Sequence, residues 1–249
     1  MMFELSNEYD ITLVSDIGTE KRNALIIDNF YKNPNEVRNY CIDSPKKSKK
    51  TDPELIAGLP GWRVFEEDSR VAEKLKDQFS HWRDQSIWRS PNPPALKWWD
   101  ENWNRTGFMC NVMNANTMDV GGGIPHQDSF NVRFGSVIYL NTPEECAGGT
   151  RLYSYMGNMS LYAPDIIDDS LRHQYNEITM NRWICDNDET AKTRDWVDGS
   201  NKDSPWKVEF EFEMVYNRCI LYEADLLHSQ WYSEGMFTDY DRICQVLFM

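Results

Sequence analysis

Positive charge is scarce in this sequence, in which 26 Lys and Arg residues stand against 40 Asp and Glu residues, for a formal net charge of −14. Proteins that bind duplex nucleic acid normally carry a basic surface, so the composition argues against that partner. No apolar run approaches the roughly 18 residues that a spanning helix needs, and the first ten residues lack a secretory-signal pattern. We therefore expect a cytoplasmic protein with no membrane partner. The sequence leaves its oligomeric state open.

Closely spaced cysteine pairs are also missing. A secreted disulfide framework is usually denser and occurs in shorter chains, so we expect reduced thiols. Hydrophobic residues make up 41% of the 249 residues, which is enough for a sizeable core without disulfides. The six scattered cysteines are Cys41, Cys110, Cys146, Cys185, Cys219 and Cys244.

The first 105 residues predict a few strands and helices. Short β-prone runs lie at residues 10–14 and 24–30. The sequence Asn-Pro-Asn-Glu at residues 33–36 predicts the start of a short helix, with Asn33 as the cap and Glu36 as a capping-box acid. Further on, apolar residues recur at helical spacing between Val71 and Trp82, which predicts a second, amphipathic helix.

From residue 106 the pattern changes to short strands separated by turn residues. In residues 208–214, apolar side chains alternate with three glutamates, as in a half-buried strand with a wet acidic face. Many short strands predict a mainly β jelly roll with flanking helices. We expect one domain over residues 1–249, in which residues 1–105 support a core at 106–249 and the polar stretch 156–204 is an insertion or lid. The predicted strands of this half are 106–113, 136–141, 150–155, 208–214, 218–222 and 242–248.

His126 and Asp128 form the first half of a candidate metal site. On a strand, residues at i and i+2 project to the same face, so this imidazole and carboxylate could bind one metal ion. Among the three other histidines of the chain, His228 is the best placed, because it follows an apolar strand and a turn. Two His and one carboxylate leave one face of an octahedral ion open, an arrangement used for iron(II) chemistry with dioxygen. Each of these His residues could instead be a hydrogen-bonded core side chain.

Arg242 follows His228 by fourteen residues and lies in a predicted strand. Its forked guanidinium is suited to binding a carboxylate through two parallel hydrogen bonds. The order of motifs resembles the 2-oxoglutarate and iron(II)-dependent dioxygenases, in particular the prolyl-4-hydroxylase-like branch with its double-stranded β-helix (jelly-roll, cupin-like) fold and its small uncharacterised members. The motifs are His126-x-Asp128, Tyr139-Leu140-Asn141, Gly148-Gly149-Thr150, His228 and Arg242.

This resemblance implies that His126, Asp128 and His228 bind Fe(II). It implies hydroxylation of a small-molecule or peptide substrate with 2-oxoglutarate and O2 as cosubstrates, release of succinate and CO2, and a supportive role for ascorbate. The carboxylate at Asp128 favours hydroxylation over halogenation, because halogenating relatives have a small residue there. Two alternatives stay open, a non-catalytic jelly-roll binding module and a cupin-like metalloenzyme without a cosubstrate.

The resemblance also implies residues for the cosubstrate. Arg242 would pair with the distal carboxylate of 2-oxoglutarate, and Tyr139 would hydrogen-bond the same group. Many relatives carry a Tyr about nine residues before the first ligand, where this chain has Thr117. Asn111 is our candidate replacement. Residues 148–150 are expected to form a turn that starts the next strand, with no chemical role.

Overall fold

Ten strands and one helix account for most of the part of the chain that the computed structural model describes. The described residues are 2–44, 62–65, 86–88, 108–113, 125–128, 134–155, 157, 159, 202, 204, 206–233 and 235–248. In chain order the elements are β1 (Asp10–Ile17), β2 (Arg22–Asp28), α1 (Pro34–Asp43), β3 (Trp62–Phe65), β4 (Phe108–Met113), β5 (Phe134–Tyr139), β6 (Gly149–Tyr155), β7 (Trp206–Glu213), β8 (Cys219–Glu223), β9 (His228–Trp231) and β10 (Arg242–Phe248).

The strands form two antiparallel sheets. The larger sheet has the order β1-β2-β8-β5-β10-β4-β3, and the smaller one has the order β7-β6-β9. The prediction of a mainly β chain is confirmed, and one of the predicted flanking helices, α1, lies in the described part of the chain. No helix among the described residues is long and apolar enough to cross a membrane.

Apolar side chains cover both faces of the larger sheet. On one face, Val37 and Cys41 of α1 pack with Leu25, Phe134 and Leu221. On the other face, a second cluster joins side chains of the two sheets and therefore lies between them. This second cluster includes Tyr139, Leu152, Phe212, Ile220 and Tyr222. Every residue of β5 and β8 is buried, as expected for strands that are covered on both faces.

Helix α1 begins at Pro34 as predicted, but the predicted capping box is wrong. The side chain of Asn33 makes no cap hydrogen bond, and its backbone angles are φ −127° and ψ 66°. These angles differ from the extended geometry from which a cap side chain reaches the amides of the first turn. The amide of Glu36 instead bonds to the backbone carbonyl of Asn33, at 3.1 Å.

The predicted wet acidic face of β7 is correct for Glu211 and Glu213 and wrong for Glu209. Glu211 and Glu213 are exposed, whereas the side chain of Glu209 is only 4% exposed. Its carboxylate accepts hydrogen bonds from Ser154 Oγ, at 2.6 Å, and from Lys207 Nζ, at 2.9 Å. The carboxylate of Glu209 is therefore covered, with hydrogen-bond partners on the neighbouring strand and on its own strand.

The expectation of reduced thiols is confirmed for three cysteines and wrong for a fourth. Cys146, Cys219 and Cys244 are free, whereas the fully buried Cys41 is disulfide-bonded. Disulfide pairing depends on which side chains meet in the folded chain, and cysteine spacing did not show it. The predicted helix near Val71 to Trp82 and most of the 156–204 stretch lie outside the described residues.

Candidate metal centre

His126 and His228 face each other across an isolated β-bridge. Each backbone amide donates to the other residue's carbonyl, with N–O distances of 2.9 and 2.8 Å. Their ring centroids are 4.5 Å apart. The predicted strand through His126 and Asp128 is therefore reduced to a single β-bridge. This bridge joins His126 to His228, the first residue of β9, and sets the two imidazoles side by side.

Asp128 completes the group that the sequence predicts. Asp128 is 2% exposed, and its carboxylate oxygen Oδ1 lies 3.5 Å from Nε2 of His228. One ligand atom from each of His126, Asp128 and His228 lies within 4.8 Å of the other two. The structure thus brings together side chains that lie about a hundred residues apart in the sequence.

The orientation of His228 is set by a backbone carbonyl. Its Nδ1 lies 2.8 Å from the carbonyl oxygen of Leu226. A carbonyl can only accept a hydrogen bond, so Nδ1 carries the proton and the lone pair of the neutral ring is on Nε2. Nε2 is the atom next to Asp128, and metal-binding histidines typically have their second nitrogen held in this way.

The turn between β8 and β9 holds this whole group in place. We call residues 223–227 the β8–β9 turn. Three of its consecutive carbonyls accept hydrogen bonds from the candidate centre. Ala224 O accepts from Asp128 N (2.9 Å), Asp225 O from Gln127 Nε2, and Leu226 O from His228 Nδ1 (2.8 Å).

Arg22, near the start of β2, anchors the same turn. Its side chain is 9% exposed, and its Nε lies 2.9 Å from Oε2 of the fully buried Glu223. A second ion pair joins Arg22 to Asp225. Burial alone would lower the pKa of Arg22, but the negative charges of Asp225 and Glu223 outweigh it and raise this pKa. Sequence reasoning missed this anchor, because nothing in the local sequence relates residue 22 to a turn two hundred residues later.

Gly135 leaves room for the carboxylate of Asp128. A Cβ atom at this position would lie 2.6 Å from Asp128 Oδ2 and 3.0 Å from Cε2 of Tyr222. The ring of Tyr222 in turn lies against His228, with centroids 4.8 Å apart. Any side chain at residue 135 would therefore push against a candidate ligand or against the ring that supports another one.

Arg242 is a buried cation whose positive charge has few partners among the described residues. It is 2% exposed, and its Nη2 reaches the carbonyl of Gly149 at 3.4 Å, so it points toward the smaller sheet. Its Nη1 contacts the sulfur of Cys244 at 2.9 Å, and its Nε has no hydrogen-bond partner in the described part of the chain. Within the described ranges no carboxylate forms an ion pair with this guanidinium. Gly149, to which the sequence analysis assigns no chemistry, therefore contacts a candidate binding residue.

Tyr139 and Asn111 lie in the same row of the larger sheet. Cys244 of β10 is paired with Tyr139 of β5 on one side and with Asn111 of β4 on the other. The fully buried hydroxyl of Tyr139 donates to Thr150 Oγ1 at 2.8 Å, and its ring centroid lies 5.9 Å from Cζ of Arg242. Burial raises the pKa of Tyr139 far above its usual value, so the phenol stays neutral. The cosubstrate roles of both residues stay predictions.

A comparison with curated proteins gives no match. Residues 10–236 match a protein family, and this range includes the three candidate ligands and ends shortly before Arg242. The match covers well over half of the chain. The chain belongs to DUF6445, a family of unknown function.

Proposed function

We propose that this protein is an iron(II)- and 2-oxoglutarate-dependent dioxygenase that hydroxylates an amino-acid residue or small molecule. The observation that carries the proposal is the convergence of His126, Asp128 and His228 between the two sheets, with their ligand atoms within 4.8 Å of one another. Two antiparallel sheets with a polar centre between them are also the arrangement expected of a double-stranded β-helix.

The three side chains fit an Fe(II) ion in number and in type. Two ligands at right angles, each about 2.1 Å from a metal, are roughly 3 Å apart. The 3.5 Å between His228 Nε2 and Asp128 Oδ1 is close to that spacing. The carbonyl of Leu226 directs the lone pair of His228 toward the same point. One carboxylate and two imidazoles form the donor set of non-haem iron oxygenases, in which the remaining positions are open.

Arg242 fits the distal carboxylate of 2-oxoglutarate. Burying an unpaired charge costs several kcal/mol, so buried cations normally have a carboxylate partner. Among the residues that the structure describes, Arg242 has no carboxylate partner and its buried Nε has no acceptor. A carboxylate from a ligand would supply the missing charge and accept two parallel hydrogen bonds.

When bound, iron and 2-oxoglutarate would supply the oxygen activation that converts a C–H bond of the substrate into C–OH, with one atom of O2 entering the substrate and the other entering succinate as CO2 is released. The chain's residues orient and shield this chemistry. The β8–β9 turn holds Asp128 and His228 in place, and Tyr222 packs against the His228 ring. Leu152, Phe212 and Leu226 line the space between the sheets and keep water away from the centre.

An anaerobic titration tests this proposal. We expect Fe(II) to bind first and 2-oxoglutarate to produce a weak visible charge-transfer band that needs both components. Under air, with ascorbate, the protein should form succinate when the right member of a panel of amino acids, peptides and nucleosides is present. No iron binding would favour a binding module, and iron binding without the band would favour a metalloenzyme that needs no cosubstrate.

Replacing the candidate carboxylate provides the matched variant. Asp128→Gly should weaken Fe(II) binding and abolish hydroxylation, because it leaves only two protein ligands for the ion. Asp239→Gly, which removes an exposed carboxylate, should leave both unchanged. Full turnover by Asp128→Gly would show that a different carboxylate binds the metal.

A further inference from the structure

We propose that the side-chain amide of Gln230 is a cosubstrate ligand, donating a hydrogen bond to the same 2-oxoglutarate carboxylate that Arg242 binds. This inference rests on the proposed function and adds a residue to it. It starts from the register of β9, where Gln230 is two residues after the candidate ligand His228. Because side chains alternate along a strand, the two residues share one face of the smaller sheet.

That shared face looks into the space between the sheets. Gln230 is paired with Thr150 of β6, and directly paired residues have their side chains on the same face. The hydroxyl of Thr150 accepts a hydrogen bond from Tyr139, which belongs to the larger sheet. Gln230 and Thr150 therefore point across the gap toward Tyr139.

The amide nitrogen of Gln230 is a buried hydrogen-bond donor. Nε2 is buried and has no hydrogen-bond partner in the part of the chain that the structure describes. Leaving a buried donor unsatisfied is costly, and most such groups in folded proteins are paired. Arg242 Nε is a second donor of this kind. Two buried donors without acceptors point to a ligand that brings its own oxygen atoms.

The order of residues along β6 places Gln230 between the metal centre and Arg242. Leu152 is paired with His228, Thr150 with Gln230, and the carbonyl of Gly149 contacts Arg242. Two residues of a strand span about 7 Å. A five-carbon dicarboxylate that chelates the metal at one end and binds Arg242 at the other would therefore lie next to the paired residues Thr150 and Gln230.

The chemistry of an amide suits this position. A neutral donor adds a hydrogen bond to a carboxylate whose charge Arg242 already balances, and it introduces no second charge into a buried site. We therefore assign Gln230 to recognition of the cosubstrate and not to binding of the metal.

Binding of 2-oxoglutarate to the anaerobic iron-loaded protein tests this assignment. Gln230→Met keeps the size of the side chain and removes its amide, so the dissociation constant from the visible band should rise about 10- to 100-fold, the range for one hydrogen bond to a charged group. The affinity for Fe(II) alone should not change. Gln230→Glu should remove 2-oxoglutarate binding more completely, because its carboxylate would pair with Arg242 and repel the ligand.

Gln245→Met is the matched control. Gln245 is fully buried and has an unpaired Nε2 as well, but its Oε1 accepts from Tyr31 in the cluster on the far side of the larger sheet. Replacing Gln245 by Met should lower the stability of the protein and leave its affinity for 2-oxoglutarate unchanged. Wild-type affinity in Gln230→Met would overturn the assignment alone, whereas a wild-type protein that binds no 2-oxoglutarate would overturn the proposed function with it.

Discussion

At the scale of single residues, the candidate centre depends on a glycine without a side chain as much as on its ligands. Gly135 has no side chain where a Cβ would lie 2.6 Å from the carboxylate of Asp128. That carboxylate is the far end of a short side chain, so a Cβ at residue 135 would displace the carboxylate and not the backbone. As a metal ligand, however, it has to stay where it is, so the space at residue 135 matters for binding more than for stability.

Gly135→Ala should therefore weaken metal binding while the fold persists. We expect the affinity for Fe(II) to fall about 10- to 100-fold, the usual effect of disturbing groups that orient a ligand. Titration with Fe(II), together with urea unfolding, measures the two effects separately. Ser136→Ala is the control, since it changes the next residue of β5, whose side chain faces the other way. Unchanged affinity in Gly135→Ala would argue against Asp128 as a ligand.

At the scale of structural elements, the β8–β9 turn connects the metal centre to the rest of the fold. Its carbonyls hold Asp128 and His228, and its acids Glu223 and Asp225 are held by Arg22 of β2. The apolar residues of the turn, Ala224, Leu226 and Leu227, pack into the core, and the ion pairs of Arg22 fix its two acids. The buried ion pairs from β2 therefore act as the support of the centre.

Arg22→Met should lower both stability and metal affinity. It leaves Glu223, which is fully buried, without its cation, and breaking a buried pair in this way typically costs about 3–5 kcal/mol. The free energy of unfolding in urea measures this loss. Fe(II) titration should show weaker binding, and Glu223→Gln added to Arg22→Met should restore part of the stability by removing the uncompensated charge.

Arg218→Met is the control for Arg22→Met. Arg218 pairs with Asp28 at the other end of the same two strands, but its side chain is 18% exposed and that of its partner 35%. Such partly exposed pairs contribute roughly 0–1 kcal/mol. Equal loss of metal affinity in both variants would mean that the turn needs no specific support from Arg22.

Strands with a continuous apolar pattern could be predicted from the sequence. Strands that form only because they pair with a distant strand could not. β5, β8 and β10 are apolar runs that the structure finds within two residues of their predicted bounds. The strands β3 and β9 are only four residues long and were not predicted. In β9, His-Ser-Gln-Trp has no strand pattern of its own, and its conformation comes from pairing with β6.

The candidate ligands could be predicted, but the groups around them could not. His126, Asp128 and His228 are legible because metal ligands are restricted to a few residue types, and only four histidines occur in the chain. Arg22 acts through contacts with residues about two hundred positions away, and Gly135 acts through its place between Asp128 and Tyr222. Such contacts depend on sheet order and register, which local patterns do not determine.

At the scale of the whole molecule, an acidic composition is combined with a deeply buried guanidinium, that of Arg242. Forty Asp and Glu residues are available, but none in the described part of the chain pairs with Arg242. A buried cation in this state lowers the stability of the ligand-free protein. The same feature creates a site that a carboxylate ligand would complete, so stability and binding should respond to Arg242 in opposite directions.

Arg242→Met should therefore stabilise the ligand-free protein and remove its response to 2-oxoglutarate. Replacing a buried ionic group by a hydrophobic one often adds about 1–4 kcal/mol, and each kcal/mol raises Tm by roughly 2–4 °C in a chain of this size. In the wild-type protein loaded with Fe(II), 2-oxoglutarate at 100 times its Kd should add about 2.7 kcal/mol to the stability, and thermal unfolding under nitrogen would show the shift.

Arg242→Lys keeps the buried charge but loses the forked guanidinium, so it should give no gain in Tm and a smaller shift with ligand. An Arg242→Met variant that is less stable than wild type, and still shifts with 2-oxoglutarate, would mean that the guanidinium serves the packing of the two sheets and not a ligand.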